Sequence, residues 1–253
     1  MSKRLPSVKS LLFLLWIFSA LFLARQQPTS AQSSIQLEPI ARVVYPPTED
    51  RGAPSRTTGS GTRDECAVVG NSEAEQLTAL TPLNNISTTV NSHPTLYFYI
   101  PTTQSIPAEL TVYNWTDRDR TPVYQTQFTL DSTPAIVKVT IPKTLELQTT
   151  YAWNLSIYCD SGMTKVTQYV DGWLERVSLP TDKQAQLQQL QQQPLETAQF
   201  YAEAGIWQET VEVLSQIRST YPQVWREFLS SVGLTHLEQY PMIESNQNSQ
   251  VIR

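Results

Sequence analysis

Any chemistry in this chain must come from a short roster of side chains. Cys66 and Cys159 supply all of its thiols, and His93 and His236 all of its imidazoles. A nucleophilic cysteine needs a base or cation beside it to hold the thiolate, and the two histidines lie in unrelated sequence contexts, neither at a metal-ligand spacing. An even pair of cysteines in an oxidising compartment reads instead as a disulfide. The N-terminal segment described below implies that compartment. A Cys66–Cys159 bond would close a loop of roughly 90 residues and stabilise the fold by about 2–4 kcal/mol.

The remaining candidates are carboxylates, arginines and tryptophans. Asp171 and Glu175 are the nearest approach to a carboxylate pair for acid–base hydrolysis of a glycan, but the intervening Gly172-Trp173 reads as strand and not cleft. Asp117-x-Asp119 opens a calcium pattern that stops without the later acids, glycine and terminal glutamate, so it reads as a charged hairpin tip. Arg51, Arg56 and Arg63 stand among glycines and could meet an anion. No apolar strand leads into them and no Gly-Lys-Ser/Thr helix start follows, so a nucleotide loop lacks its context. With Arg42 they face Glu38, Glu49, Asp50, Asp64 and Glu65, which makes a solvated linker. Trp153 and Trp173 read as core residues, large apolar side chains with one polar handle; on an exposed strip they would suit carbohydrate. No motif asks for a cofactor or a metal.

The elements that must position these residues begin after a leader. Lys3, Arg4 and Lys9 precede an apolar run from Leu11 to Leu23, and Thr29-Ser30-Ala31 supplies a small-residue cleavage pattern before Gln32. A helix of that run rises about 20 Å, against the roughly 30 Å of a bilayer core, so residues 1–31 read as a secretory signal peptide, leaving no transmembrane segment once removed. Its loss takes four basic residues and no acid, and the formal charge moves from −5 to −9. An acidic chain without a Lys/Arg cluster has no means of releasing counterions from a polyanion, which excludes nucleic acid as a partner class. The protein is expected outside the cytoplasm, periplasmic or extracellular.

Residues 32–65 are rich in Pro, Gly, Ser and Thr and read as a flexible arm that buries too little apolar surface to order itself. From 66 to 180 the signal is short strands: 96–100 stopped by Pro101, 109–115 alternating, then 123–130, 135–141 and 151–159, with Asp160-Ser161-Gly162 turning into 165–169. Strands at this spacing, with no helical crossover between them, argue for a mostly β domain, an antiparallel immunoglobulin-like β-sandwich, with a barrel as the competing architecture. Leu147 and Tyr151 fit a tyrosine corner, in which a phenol ties the loop before its strand. Thr181 to Gln184 make a capping-box pattern opening a Gln-rich helical connector over 181–193. Residues 194–240 then read as a helical hairpin, a single tetratricopeptide-like unit: Pro194 starts a helix that Gly205 breaks, Trp207, Val211, Leu214 and Ile217 mark the apolar face of a second, and Trp225, Phe228, Leu229 and Val232 that of a third after Pro222. Residues 241–253 read as a disordered tail.

Several separated motifs, in order, resemble the cyanobacterial domain-of-unknown-function family 928. They are Arg51-Gly52-x-Pro54, Gly59-x-Gly61-Thr62-Arg63 with Cys66, Leu77-Thr78-Ala79-Leu80-x-Pro82, Pro94-Thr95-x-x-Phe98-Tyr99-Ile100-Pro101, Tyr151-x-Trp153 with Cys159, and Gly172-Trp173-x-x-Arg176-Val177. The resemblance covers about residues 46 to 240 and implies location and domain limits but no activity. The residues themselves predict an exported, non-catalytic envelope protein that binds another protein or a glycan, with Arg51, Arg56, Arg63, Trp207 and Trp225 as candidate contacts. The competing expectation is a cell-wall or polysaccharide hydrolase built on a carboxylate pair.

Overall fold

Strands form where branched and aromatic residues run together, and the parity of the polar residues among them decides how many faces each strand buries. The computed structural model describes residues 42–47, 53, 76–101, 105–116, 121–130, 134–190 and 192–248, all within one compact unit, Ile40–Arg253. Strand β3 (Thr95–Ile100) carries an unbroken buried run, Leu96 to Ile100. Leu96, Phe98 and Ile100 enter one core while Tyr97 and Tyr99 enter another, so β3 is covered on both faces. Strand β7 (Thr149–Tyr158) alternates instead. Tyr151, Trp153, Leu155 and Ile157 are buried and the residues between them are partly exposed.

Two mixed sheets result. Strands β1 (Thr78–Ala79), β3, β6 (Ala135–Thr140) and β9 (Met242–Glu244) form a four-stranded sheet in the order β1-β3-β6-β9. Strands β2 (Ile86–Thr89), β4 (Ile106–Asn114), β5 (Pro122–Leu130), β7, β8 (Val166–Arg176) and β10 (Asn246–Asn248) form a six-stranded sheet, β10-β5-β4-β7-β8-β2. The pairs β2–β8 and β6–β9 are parallel, a correction to the antiparallel expectation. Both are places where a short strand with little signal of its own adds to the edge of a longer one.

The inner faces of the sheets meet in one core. Phe98 and Val139 come from one side and Leu110, Val112, Trp153, Leu155 and Leu174 from the other, and Phe98 meets Trp153 edge to face with centroids 5.4 Å apart. The outer face of the four-stranded sheet is covered by helices. After α1 (Thr181–Gln189), the helices α2 (Pro194–Glu203), α3 (Trp207–Ile217) and α4 (Pro222–Ser231) contribute Ala198, Ala202, Trp207, Val211, Leu214, Trp225 and Phe228, which pack on Tyr97, Tyr99 and Ile136. Pro194 and Pro222 occupy first-turn positions, where the missing N–H costs nothing. Gly205 and Gly233 end α2 and α4 at φ +70° and +71°, a conformation that favours glycine.

Three local expectations are corrected. Thr181 is the first helical residue of α1 and not its cap; Pro180 takes the cap position without a side-chain bond, and Gln184 Nε2 donates backward to the Leu179 carbonyl at 2.7 Å. Residues 42–47, assigned to the flexible arm on composition, carry Val43 and Tyr45 into the helical core. Tyr45 meets Trp207 edge to face at 4.8 Å and donates its hydroxyl proton to the Gly205 carbonyl at 2.8 Å. Within the tail assigned to disorder, residues 242–244 and 246–248 are the strands β9 and β10, one pairing with β6 and the other with β5. The exposed edges of those strands need hydrogen-bond partners, and that need orders a segment too polar to order itself. The expected leader, the rest of the arm apart from residue 53, and residues 249–253 lie outside the described residues.

The corner before β7 is held twice. The Glu146 N–H donates to the Tyr151 hydroxyl oxygen at 2.8 Å, the tie expected of that phenol, and Arg176 Nη1 donates to the Leu145 carbonyl at 2.6 Å. The buried leucine of the corner is Leu145, whereas Leu147 is exposed.

Candidate functional site

On the six-stranded sheet, the face turned away from the core carries an aromatic row. Tyr113, Ala152 and Trp173 are cross-strand partners on β4, β7 and β8. Because the middle residue is alanine, the row has a notch between two large rings. Trp115 follows β4 on the same parity as Tyr113, and its N–H continues the ladder to the Thr150 carbonyl at 3.0 Å. Its ring meets that of Trp173 with centroids 4.5 Å apart and planes at 47°, yet Trp115 stays 47% exposed. Two residues along each strand, about 6.8 Å away, Thr111, Asn154 and Asp171 form a polar row in register. Tyr113, Asn114, Trp115, Ala152, Asn154, Asp171 and Trp173 surround a cleft of about 410 Å³, within the size range of small-ligand sites.

Of the two asparagines that line the cleft, Asn154 is an oriented donor on the outer face. Asn154 Oδ1 accepts from the Ser156 hydroxyl at 2.7 Å, and Asn114 Oδ1 accepts from the N–H and hydroxyl of Thr116 at 3.0 and 2.8 Å. With its carbonyl oxygen engaged along the strand, the Asn154 amide has its NH2 group to offer a ligand on this face, whereas Asn114, paired with the core residue Tyr151, is on the opposite parity of β4. The backbone that carries Asp171 and Trp173 is pinned from β2's side. Asn85, at φ +57°, donates from Nδ2 to the Asp171 carbonyl at 2.7 Å and accepts at its own carbonyl from the Trp173 N–H at 3.1 Å. Between them Gly172 lies beneath the Trp153 ring, its cross-strand partner, so the strand passes under the core indole only because the position has no side chain.

This surface can stack a ring and hydrogen-bond its edge. It does not offer an acid–base pair. Asp171 and Glu175 do share the outer face of β8, but four residues of strand separate them by about 13 Å, wider than either spacing used in glycoside hydrolysis. Trp173 stands between them on that face, so the segment expected to be strand and not cleft is both.

The other residues singled out in the sequence fall elsewhere. Trp153 is in the sheet core, as expected, while Trp173 is outside it. Trp207 and Trp225 are buried, their indole N–H groups donating to the Leu80 and Glu238 carbonyls at 2.9 and 3.3 Å. Their expectation as partner contacts is corrected: the stripe they belong to is spent on the four-stranded sheet. Cys159 follows β7, its N–H donating to the Lys165 carbonyl at 2.9 Å. Cys66, Arg51, Arg56, Arg63, Asp117 and Asp119 lie outside the described residues. His93 is exposed and bonded through its ring to Ser92 and Thr144. Among the described residues no group of His, Cys, Asp and Glu could hold a metal ion, and no helix is long and apolar enough to cross a membrane.

One buried carboxyl lies apart from the cleft. Glu209 of α3 takes three donors on Oε1, the Thr89 hydroxyl at 2.6 Å and the N–H groups of Val90 and Asn91 at 3.1 and 3.0 Å, while Oε2 is buried without a hydrogen bond among the described groups. Burial outweighs those bonds and raises its pKa above the ordinary carboxylate value. The same burial, with the charge of Glu209 adding to it and a Thr88 hydrogen bond opposing, pushes the Tyr45 phenol up to about 12. This cluster joins α3 to the end of β2 and is architectural.

The fold and site define a two-sheet β protein with a helical cover and an aromatic cleft on its open sheet face. The sequence model of the Domain of Unknown Function family DUF928 matches residues 58–242, and the chain belongs to that family. Comparison with curated proteins finds no match.

Proposed function

We propose that this protein is an exported, non-catalytic component of the cell envelope that binds glycan through the outer face of its six-stranded sheet. The observation that carries the reading is the Trp115–Trp173 pair, two large rings in mutual contact beside an alanine notch, bordered by the oriented Asn154 amide and the Asp171 carboxylate. The apolar C–H face of a sugar ring stacks on such a surface while its hydroxyls reach the polar row; an apolar site with a few placed polar groups is the usual form of a small-ligand pocket. The finer architecture we assign is an immunoglobulin-like sandwich, supported by the Tyr151 tie at the corner before β7. Export rests on the short apolar leader, and the acidic mature chain disfavours a polyanionic ligand.

Co-sedimentation with purified cell-wall sacculi and with insoluble envelope polysaccharide tests the reading. The mature chain is expected to be retained, and a Trp115→Ala/Trp173→Ala double variant to lose at least tenfold in affinity, about 1.4 kcal/mol, with an unchanged circular dichroism spectrum. Equal retention of a folded double variant would remove the cleft from the account.

A further inference from the structure

We infer that the cleft is a subsite for an N-acetylated hexosamine, an inference that rests on the glycan reading above and names its chemistry. Three features stand in a fixed order on the sheet. The apolar notch at Ala152, between Tyr113 and Trp173, has no polar partner to offer. Two residues further along β7, Asn154 presents an N–H donor because its oxygen is held by Ser156. Directly across the strand pair stands the Asp171 carboxylate, an acceptor. A 2-acetamido sugar carries the complementary sequence of groups: a methyl, a carbonyl oxygen beside it, and a hydroxyl on the next ring carbon. With the ring stacked on the Trp115–Trp173 surface, the methyl enters the notch, the carbonyl accepts from Asn154 and the hydroxyl donates to Asp171.

A sugar with only hydroxyls satisfies the polar row and leaves the notch open. An amino sugar without the acetyl group keeps a donor for Asp171 but brings neither a methyl for the notch nor a carbonyl oxygen for Asn154. The cleft volume of about 410 Å³ is at the small end of the range for ligand sites, suited to one ring and part of the next.

Titration calorimetry of the mature chain with three soluble trimers tests this: triacetylchitotriose, the same trimer fully deacetylated, and cellotriose. The acetylated trimer is expected to bind at least tenfold tighter than the other two. Ala152→Leu, which fills the notch, and Asn154→Ala, which removes the donor, should each bring it down to the cellotriose level, while Trp173→Ala abolishes binding of all three. Thermal unfolding of each variant checks its fold. Equal or tighter binding of cellotriose or the deacetylated trimer would overturn the inference and leave the glycan reading standing. So would failure of all three trimers with sacculus retention intact. Failure of the trimers together with the sacculi would overturn both.

Discussion

A Cβ built on Gly172 would stand 2.4 Å from Cζ2 of Trp153 and 2.8 Å from Oδ1 of Asn85. Neither neighbour is the loose end of a flexible chain: the indole is locked in the core against Phe98, and Asn85 is bonded to the β8 backbone. Gly172→Ala is therefore expected to cost about 2–3 kcal/mol as overpacking, seen as a fall of roughly 5–10 °C in Tm. An unchanged Tm would mean that the ring has room to move. Glu209 gives a second prediction with a definite sign. Burial lifts its folded pKa above the ordinary 4.5, so the folded state holds the proton more tightly than the unfolded chain. Its stability contribution is greatest at and below that value and declines as pH rises through the window up to the raised pKa. Glu209→Gln keeps an acceptor for Thr89, Val90 and Asn91, and should flatten that decline without loss of stability at neutral pH. Glu209→Ala orphans buried donors and should cost about 2–5 kcal/mol. Denaturant melts of the three proteins from mildly acidic to neutral pH decide it; identical pH slopes for Glu209 and its glutamine variant would refute the assignment. The site residues were partly legible at this same scale. In the 109–115 segment, Leu110 and Val112 set the core parity, which puts Tyr113 and Trp115 on the polar one; in β8, Val170 and Leu174 do the same to Trp173. Aromatic residues on the polar parity are the signal for the cleft. Reading Trp173 by residue type, as core, passed over it. The Ala152 notch appears only once the register joins β4, β7 and β8.

Elements with their own pattern were legible, and elements made by their neighbours were not. The long alternating strands, and the helices opened by Pro194 and Pro222, follow from periodicity and terminal chemistry alone. Strands β1, β2, β9 and β10 are two to four residues long, with sequences such as Thr78-Ala79 and Met242-Ile243-Glu244, and exist because an edge accepts them. The C-terminal pair covers one edge of each sheet. Ile136 N–H donates to the Pro241 carbonyl at 2.8 Å, Ser245 N–H donates to the Lys138 carbonyl at 2.9 Å, and Lys138 pairs with Glu244. Truncation after Tyr240 should bare both edges, which are then templates for pairing between copies. Light scattering is expected to show concentration-dependent association together with a lowered Tm. A truncated chain that stays monomeric at the original Tm would show that β9 and β10 are dispensable.

At the scale of the whole molecule, the covered and the open faces divide the labour. The four-stranded sheet is packed on both sides, by the six-stranded sheet and by the helices, so the large apolar stripe with Trp207 and Trp225 is structural. The outer face of the six-stranded sheet, where Trp115 and Tyr169 are exposed, is where the proposed partner is expected to bind. In an exported protein Cys66 and Cys159 are expected to be joined, anchoring the segment before β1 to the hairpin between β7 and β8. Thiol labelling of protein purified without reductant should find no free cysteine, and two reactive thiols per chain would contradict it. The central claim, that glycan binds on the open sheet face, is tested most directly by mapping backbone amide shifts in a two-dimensional nuclear magnetic resonance titration with soluble cell-wall glycan fragments. Perturbations are expected to centre on Tyr113, Trp115, Ala152, Asn154, Asp171 and Trp173, with the amides of α2 to α4 unmoved; perturbations centred on the helices, or none anywhere, would contradict the claim.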